Sequence, residues 1–137
     1  MSDVIDTVLF DLDGTIADSI ELILSAYRHT MQRCLGSVPA DELWLAGLGT
    51  PLATQLNDFA ADAEQHELMR VTFRDFSNEH HDEMLSAYEG IPEVIGHLKA
   101  GGYKLGLVTS KNRASSLRAF RLLDLMDTFE VLVCSDD

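Results

Sequence analysis

Apolar positions along this chain follow two periodicities, and their succession predicts how the chain is organised. The run Ile5-Asp6-Thr7-Val8-Leu9-Phe10 is β-rich and meets Asp11-Leu12-Asp13-Gly14-Thr15, which predicts a buried strand closed by a Gly-bearing turn. From Asp18 to about Cys34 the spacing becomes helical, with Ile20, Ile23, Leu24, Tyr27 and Met31 on one stripe and Gly36 as the stop. Pro39 opens a second helical stretch through Leu43, Trp44 and Leu45, which ends in the loop Gly47-Leu48-Gly49-Thr50-Pro51. Two more stretches, Leu52 to about Ala63 and a polar one from Glu64 to Tyr88, keep helical spacing, so no strand is expected between positions 18 and 88.

Beyond that point strands return. Gly90-Ile91-Pro92-Glu93 opens a helix through Val94, Ile95 and Leu98, closed by Gly101-Gly102; proline in the first turn and glycine past the end suit helix entry and exit. Tyr103 to Thr109 reads as a strand, Asn112 to Leu125 as a helix, and Phe129 to Val133 as a third strand. Short apolar strands separated by helices predict an α/β fold with a parallel sheet and a helical insert. Its ligands are expected outside the carboxyl ends of the strands, where Asp11, Asp13, Thr109 and Ser110 fall.

Composition narrows the class. With 137 residues, 46% hydrophobic and 24% charged, the chain is long enough to bury a core without disulfides or a structural metal. Ten Lys and Arg against 23 Asp and Glu give a formal charge of −13, which repels phosphodiester backbones and anionic lipid; neither nucleic acid nor a membrane is expected as partner. Cys34 and Cys134 form no zinc-type spacing, and the N-terminus carries no basic segment before an apolar run of signal-peptide length. A reduced, cytoplasmic protein is the expectation.

The candidate chemistry sits in Asp11-Leu12-Asp13-Gly14-Thr15. Two carboxylates at i and i+2 repel one another and disfavour a strand, so their place at the end of an apolar run points to a cation or substrate that uses them. An EF-hand is excluded, because the sixth loop position would be Ile16 and the twelfth Leu22. No glycine-rich run ends in Lys-Ser or Lys-Thr, which excludes a P-loop. Thr109 reads either as a helix N-cap or as an anion-holding hydroxyl, and Lys111 either as a solvated charge or as an aid to an anionic substrate. His80 and His81 point to different helix faces and are expected to be solvated, with one of them at most meeting substrate; Trp44, Phe73 and Phe76 are expected to pack among helices.

The segment Phe10-Asp11-Leu12-Asp13-Gly14-Thr15-Ile16-Ala17-Asp18-Ser19 resembles the first motif of the haloacid dehalogenase superfamily of phosphohydrolases, and Leu105-Gly106-Leu107-Val108-Thr109-Ser110-Lys111 resembles its second. The helical stretch between them is similar to the cap of the phosphoglycolate phosphatase-like subfamily, with Gly49-Thr50-Pro51 resembling its substrate-facing loop. Phe76-Ser77-Asn78-Glu79-His80-His81-Asp82-Glu83 resembles the bacterial inorganic pyrophosphatase branch. The resemblance implies a Rossmann-like parallel sheet core, incomplete at about three strands, formed by 1–16 and 89–137, with an all-helical cap over 17–88.

It further implies Asp11 as nucleophile and Asp13 as general acid and base, both also Mg²⁺ ligands. Gly14, Thr15, Thr109, Ser110, Lys111, Gly49 and Thr50 are implied in binding a small phosphorylated substrate or pyrophosphate. Phosphoglycolate phosphatase or sugar phosphate mutase chemistry are the alternative substrate classes. One departure is expected to matter: the family's later Lys and acidic motifs have no counterpart before Asp137. A truncated fragment with only a binding or assembly role therefore stays open, and the 5–10 strand is expected to become a sheet edge open to self-association.

Overall fold

The computed structural model describes residues 3–137; Met1 and Ser2, at the start of the expected first segment, lie outside the described residues. The chain forms two compact units, one from Met1–Asp18 with Ser86–Asp137 and the other from Ser19–Leu85.

The first unit is built on a parallel sheet. Strands β1 (Thr7–Phe10), β4 (Lys104–Val108) and β5 (Val131–Val133) lie in the order β1-β4-β5, as the α/β reading expected. Leu9 pairs with Gly106 and Gly106 with Val131, so these three share one row across the sheet. The neighbouring row, Phe10-Leu107-Leu132, turns to the other face, because side chains alternate along a strand. That face is covered: Leu105, Leu107, Ile95, Phe120 and Phe129 are buried, with Phe129 edge-on to Phe10 at 5.9 Å between ring centroids. Helices α5 (Ile91–Ala100) and α6 (Arg113–Leu122) belong to this unit.

The opposite face corrects the expectation of a buried first strand. Leu9 is 65% exposed and Val131 57%, with Val108 and Val133 also exposed. β1 is an edge with one neighbour, and its outer row has only the Leu9 side chain folded over Gly106, where a Cβ would stand 2.7 Å from Leu9 Cδ2.

A second correction is a small antiparallel pair, β2 (Ala17–Asp18) with β3 (Ser86–Ala87), in a region read as strand-free. Two residues are too few to show a period of two, so their pairing is a tertiary outcome. It also shortens the expected 64–88 helix, since α4 (Ala63–Met84) stops at Leu85, whose backbone is extended (φ −104°, ψ 133°).

The second unit is helical: α1 (Ile20–Leu35), α2 (Asp41–Leu45), α3 (Leu52–Leu56) and α4. The expected 52–63 helix breaks after one turn. Asp62 instead caps α4 by accepting from the Gln65 amide (2.8 Å), while Gln65 Oε1 accepts from the Ala61 amide (2.7 Å), a reciprocal arrangement that settles orphan donors. Gly36 ends α1 at φ +73°, a left-handed cap that glycine adopts without Cβ strain. Tyr27, Met31, Trp44, Leu56 and Met69 are buried in one cluster with Phe73, and the Tyr27 and Trp44 rings stack at 5.1 Å; Phe76 packs against it. This is the packing role expected for the aromatic residues. Among the described residues no helix is long and apolar enough to cross a membrane.

Candidate active site

The turn after β1 is set by its own backbone. The Leu12 carbonyl accepts from the amides of Thr15 (3.2 Å), Ile16 (3.0 Å) and Ala17 (2.9 Å), and the Gly14 amide donates to Ala17 O (2.9 Å). Gly14 holds φ +79°, which lets the chain double back so tightly. Leu12 and Ile16 are completely buried anchors, whereas Asp11, Gly14 and Thr15 are exposed and Asp13 half-buried. The apolar positions therefore pin the loop while Asp11 lies exposed and Asp13 stays half-buried. Asp11 Oδ1 accepts from the Leu12 amide at 2.7 Å, which fixes the carboxylate against its own backbone. The amides of Gly14 and Thr15 are engaged within the loop.

The turn after β4 lies beside it, because β1 and β4 are adjacent and parallel. Thr109 is buried; its amide donates to Val133 O (2.9 Å) and its Oγ1 accepts from the Lys111 amide (3.1 Å). Thr109 is thus not the N-cap of α6. Asn112 fills that role by accepting from the Ser115 amide (2.9 Å), and the expected 112–125 helix runs only over Arg113–Leu122. Exposed Ser110 accordingly lies in a loop three residues before α6 and not at the helix start.

Lys111 is not a solvated surface charge. Its Nζ stands 3.2 Å from Asp13 Oδ1, with the two side chains only 22% and 30% exposed, across 98 positions of sequence. The pairing brings the two candidate turns to a single place. Gly49 and Thr50 belong to the helical unit, where Gly49 has φ +93° and the Thr50 amide donates to Gly47 O (3.1 Å).

His81 departs from expectation in the other direction. It is 5% exposed, with Nδ1 2.7 Å from Asp82 Oδ1 and no hydrogen-bond partner for Nε2. His80, on a different face, pairs with Glu83 and packs at a tilt against Phe76, 4.3 Å between ring centroids.

One residue absent from the sequence reading, Arg113, organises the chain next to these turns together with Asp137. The Arg113 fork binds Asp137, with Nε 3.1 Å from Oδ1 and Nη2 2.6 Å from Oδ2, and Nη2 also donates to Leu132 O (2.8 Å). The Arg113 hydrogen bond, followed by the one from the Cys134 amide, holds the Asp137 carboxyl below its usual range, and the Asp137 bond raises the Arg113 guanidinium. The only signal in the sequence was position: Ser135-Asp136-Asp137 follows a strand at its carboxyl end.

No three His, Cys, Asp or Glu side chains converge among the described residues. Asp11 and Asp13 alone offer carboxylate and carbonyl oxygens, which fits a hard divalent cation that takes one or two protein carboxylates and completes its shell with substrate oxygens and water.

A parallel α/β sheet with paired Asp at the end of one strand and Thr-Ser-Lys at the end of the next defines the class, and comparison supplies the family. Residues 8–137 match the family model described as haloacid dehalogenase-like hydrolase, and the chain belongs to that family. It is 38% identical over 133 residues to the pyrophosphatase PpaX of Bacillus mycoides, a match covering 97% of this chain and 61% of that protein. Among solved structures it superposes with TM-score 0.83 on a haloacid dehalogenase-like hydrolase, SP0104 of Streptococcus pneumoniae (22% identity, 96% of this chain and 61% of that one). It superposes with TM-score 0.82 on protein tyrosine kinase A of Mycobacterium tuberculosis (28% identity, 97% and 61%). The chain thus spans about 61% of the length of the relatives it matches.

Proposed function

We propose that this chain serves a phosphohydrolase acting on inorganic pyrophosphate, with small phosphorylated metabolites such as phosphoglycolate as the next substrate class. The observation that carries the reading is the exposed Asp11 carboxylate beside an Asp13–Lys111 pair, at the carboxyl ends of two adjacent parallel strands. The similarity to a protein named pyrophosphatase supports the substrate choice.

In this reading Asp11 attacks phosphorus, displaces the leaving oxygen and carries the phosphoryl group as an acyl phosphate, which divides one hard displacement into two easier ones. Asp13 gives its proton to the departing oxygen and then takes one from the water that attacks phosphorus, a role worth roughly 10²–10⁴-fold in rate. The Thr109 hydroxyl, Ser110, Thr15 and the Lys111 ammonium hold phosphoryl oxygens, and the Gly14 turn aims the two carboxylates. An Asp11 carboxylate oxygen and the Asp13 backbone carbonyl would hold Mg²⁺, which would supply charge neutralisation for the phosphoryl group. Gly49 and Thr50, in the helical unit, take part in substrate choice. Free thiols at Cys34 and Cys134 suit a reducing compartment, the cytoplasm.

The test is Mg²⁺-dependent phosphate release from pyrophosphate, phosphoglycolate and p-nitrophenyl phosphate. Asp11→Asn is expected to abolish it, and turnover that survives this change overturns the nucleophile assignment. A second reading, self-association through the β1 edge, is favoured by the exposure of Ile5 and Leu9. A monomer by sedimentation velocity across a wide concentration range overturns that one.

A further inference from the structure

The β4–α6 turn reaches Asp13 through Lys111, and several bonds converge on the other side of that turn. Ser135 N–H donates to Lys111 O (2.9 Å), and Thr109 N–H donates to Val133 O (2.9 Å). The segment making these contacts is itself held by Arg113. Its amide donates to Asp136 Oδ1 (2.9 Å) and its guanidinium to Asp137 and to Leu132 O, while Asp137 Oδ2 also accepts from Cys134 N–H (2.8 Å). Arg113 therefore ties the chain after β5 to the start of α6, and the Lys111 backbone is clamped between them.

We propose that Arg113 is a positioning residue: its clasp on Asp137 and Leu132 fixes the Thr109–Lys111 turn so that the Lys111 ammonium stands at Asp13. The geometry separates this from a direct anion-binding role. Nε and Nη2, one of the two bidentate edges of a guanidinium, are both on Asp137, and the second N–H of Nη2, which the other edge would need, donates to Leu132 O. The Asp137 oxygens are likewise engaged by Arg113 and Cys134 N–H, which makes Asp137 an anchor and not a cation ligand. A lysine at position 113 would keep the charge and lose the fork.

The proposal rests on the phosphohydrolase reading only for its catalytic consequence, so the primary measurement does not use activity. In the full chain, competitive labelling with acetic anhydride, read by peptide mass spectrometry, compares Lys111 with Lys99 and Lys104 as internal references. Arg113→Ala is expected to raise the relative labelling of Lys111 several-fold, close to the level produced by Asp13→Asn, and Arg113→Lys should recover it only in part. Phe129→Leu, which loosens the core of the same unit, should leave the ratio at its wild-type value. If Arg113→Ala fails to fold, Asp137→Asn carries the same expectation with a smaller perturbation. An unchanged Lys111 ratio in a folded clasp variant overturns the proposal, as does a rise of equal size in Phe129→Leu.

Where turnover is measured, the clasp variants should lower kcat/KM by about tenfold or more, in line with the cost of misplacing a reacting group. Activity retained in Asp11→Asn sinks the phosphohydrolase reading and leaves the labelling result standing. A dead Asp11→Asn with an unmoved Lys111 ratio sinks the clasp alone.

Discussion

The helical unit buries its largest side chains and the sheet unit displays some of its own. Trp44 is 1% exposed and Tyr27 not at all, enclosed by α1, α3 and α4, whereas the Leu9-Gly106-Val131 row of the sheet lies open. The difference follows from the type of element. An amphipathic helix is written with one apolar stripe and is satisfied by one neighbour, so four helices can close a core among themselves. A strand of a parallel sheet is written for two covered faces, and here only the Phe10-Leu107-Leu132 side has cover. The candidate chemistry belongs to the open unit, in turns that combine buried anchors, Leu12, Ile16 and Thr109, with backbone bonds and the Asp13–Lys111 pair.

Substitutions in the two units should therefore differ most at their apolar centres. Trp44→Ala removes the ring on which Tyr27, Phe59 and Phe73 pack, and should cost about 3–5 kcal/mol in urea unfolding followed by circular dichroism. Val131→Ala, on the open row, should cost under about 1 kcal/mol. Equal losses would erase the contrast. Gly47→Ala sharpens it within the helical unit. Its Cβ would stand 2.8 Å from Gln55 Nε2, so the buried amide must leave the Trp44 carbonyl it now contacts at 2.6 Å, at a cost of about 1–3 kcal/mol. The single Trp makes fluorescence a local reporter of that loss.

Leu9→Lys tests the open face directly. Stability should change by less than about 0.5 kcal/mol, and any rise of the sedimentation coefficient with concentration in the unsubstituted chain should be lost. A stability loss as large as that of Trp44→Ala would mean that Leu9 belongs to a closed core.

The smallest effect concerns acid. Asp137 and Asp41 are each held below the usual carboxylate value of 3.8, chiefly by hydrogen bonds from Arg113 and Arg28 respectively. A depressed folded-state value means that the unfolded chain binds protons first, so each pair stabilises fully above the ordinary Asp range and loses its contribution as pH falls through the depressed value. Asp41→Asn and Asp137→Asn should each flatten the acid limb of the stability profile. Trp44 fluorescence should follow only the Asp41 change if the units respond independently.

How much of this was legible depended on the range of the contact. Asp11 and Asp13 could be read because the turn that presents them is made within seven residues, by Leu12 O and Gly14. The α1 stop at Gly36 and the helix opened by Pro92 were local in the same way. Lys111 stayed open between a solvated charge and an aid to substrate, because its partner Asp13 lies 98 positions away and only the pairing of β1 with β4 brings them together. The Arg113 clasp left no periodic trace, since charged residues near a helix start look alike whether or not a carboxylate waits after the next strand. His81 was misread for a related reason: an acidic, polar helix predicts solvent, and burial of one of its faces is decided by packing.

By itself the sequence determined the alternation of elements, the two turn carboxylates and the family to which they belong, because helix stripes, strand runs and the Gly14 turn are set by nearest neighbours. Tertiary structure alone decided the open Leu9-Gly106-Val131 row, the β2–β3 pair and the meeting of Asp13 with Lys111. Strand register and side-chain pairing over tens of residues are fixed only when the sheet assembles, and no local pattern encodes which charge will find which partner.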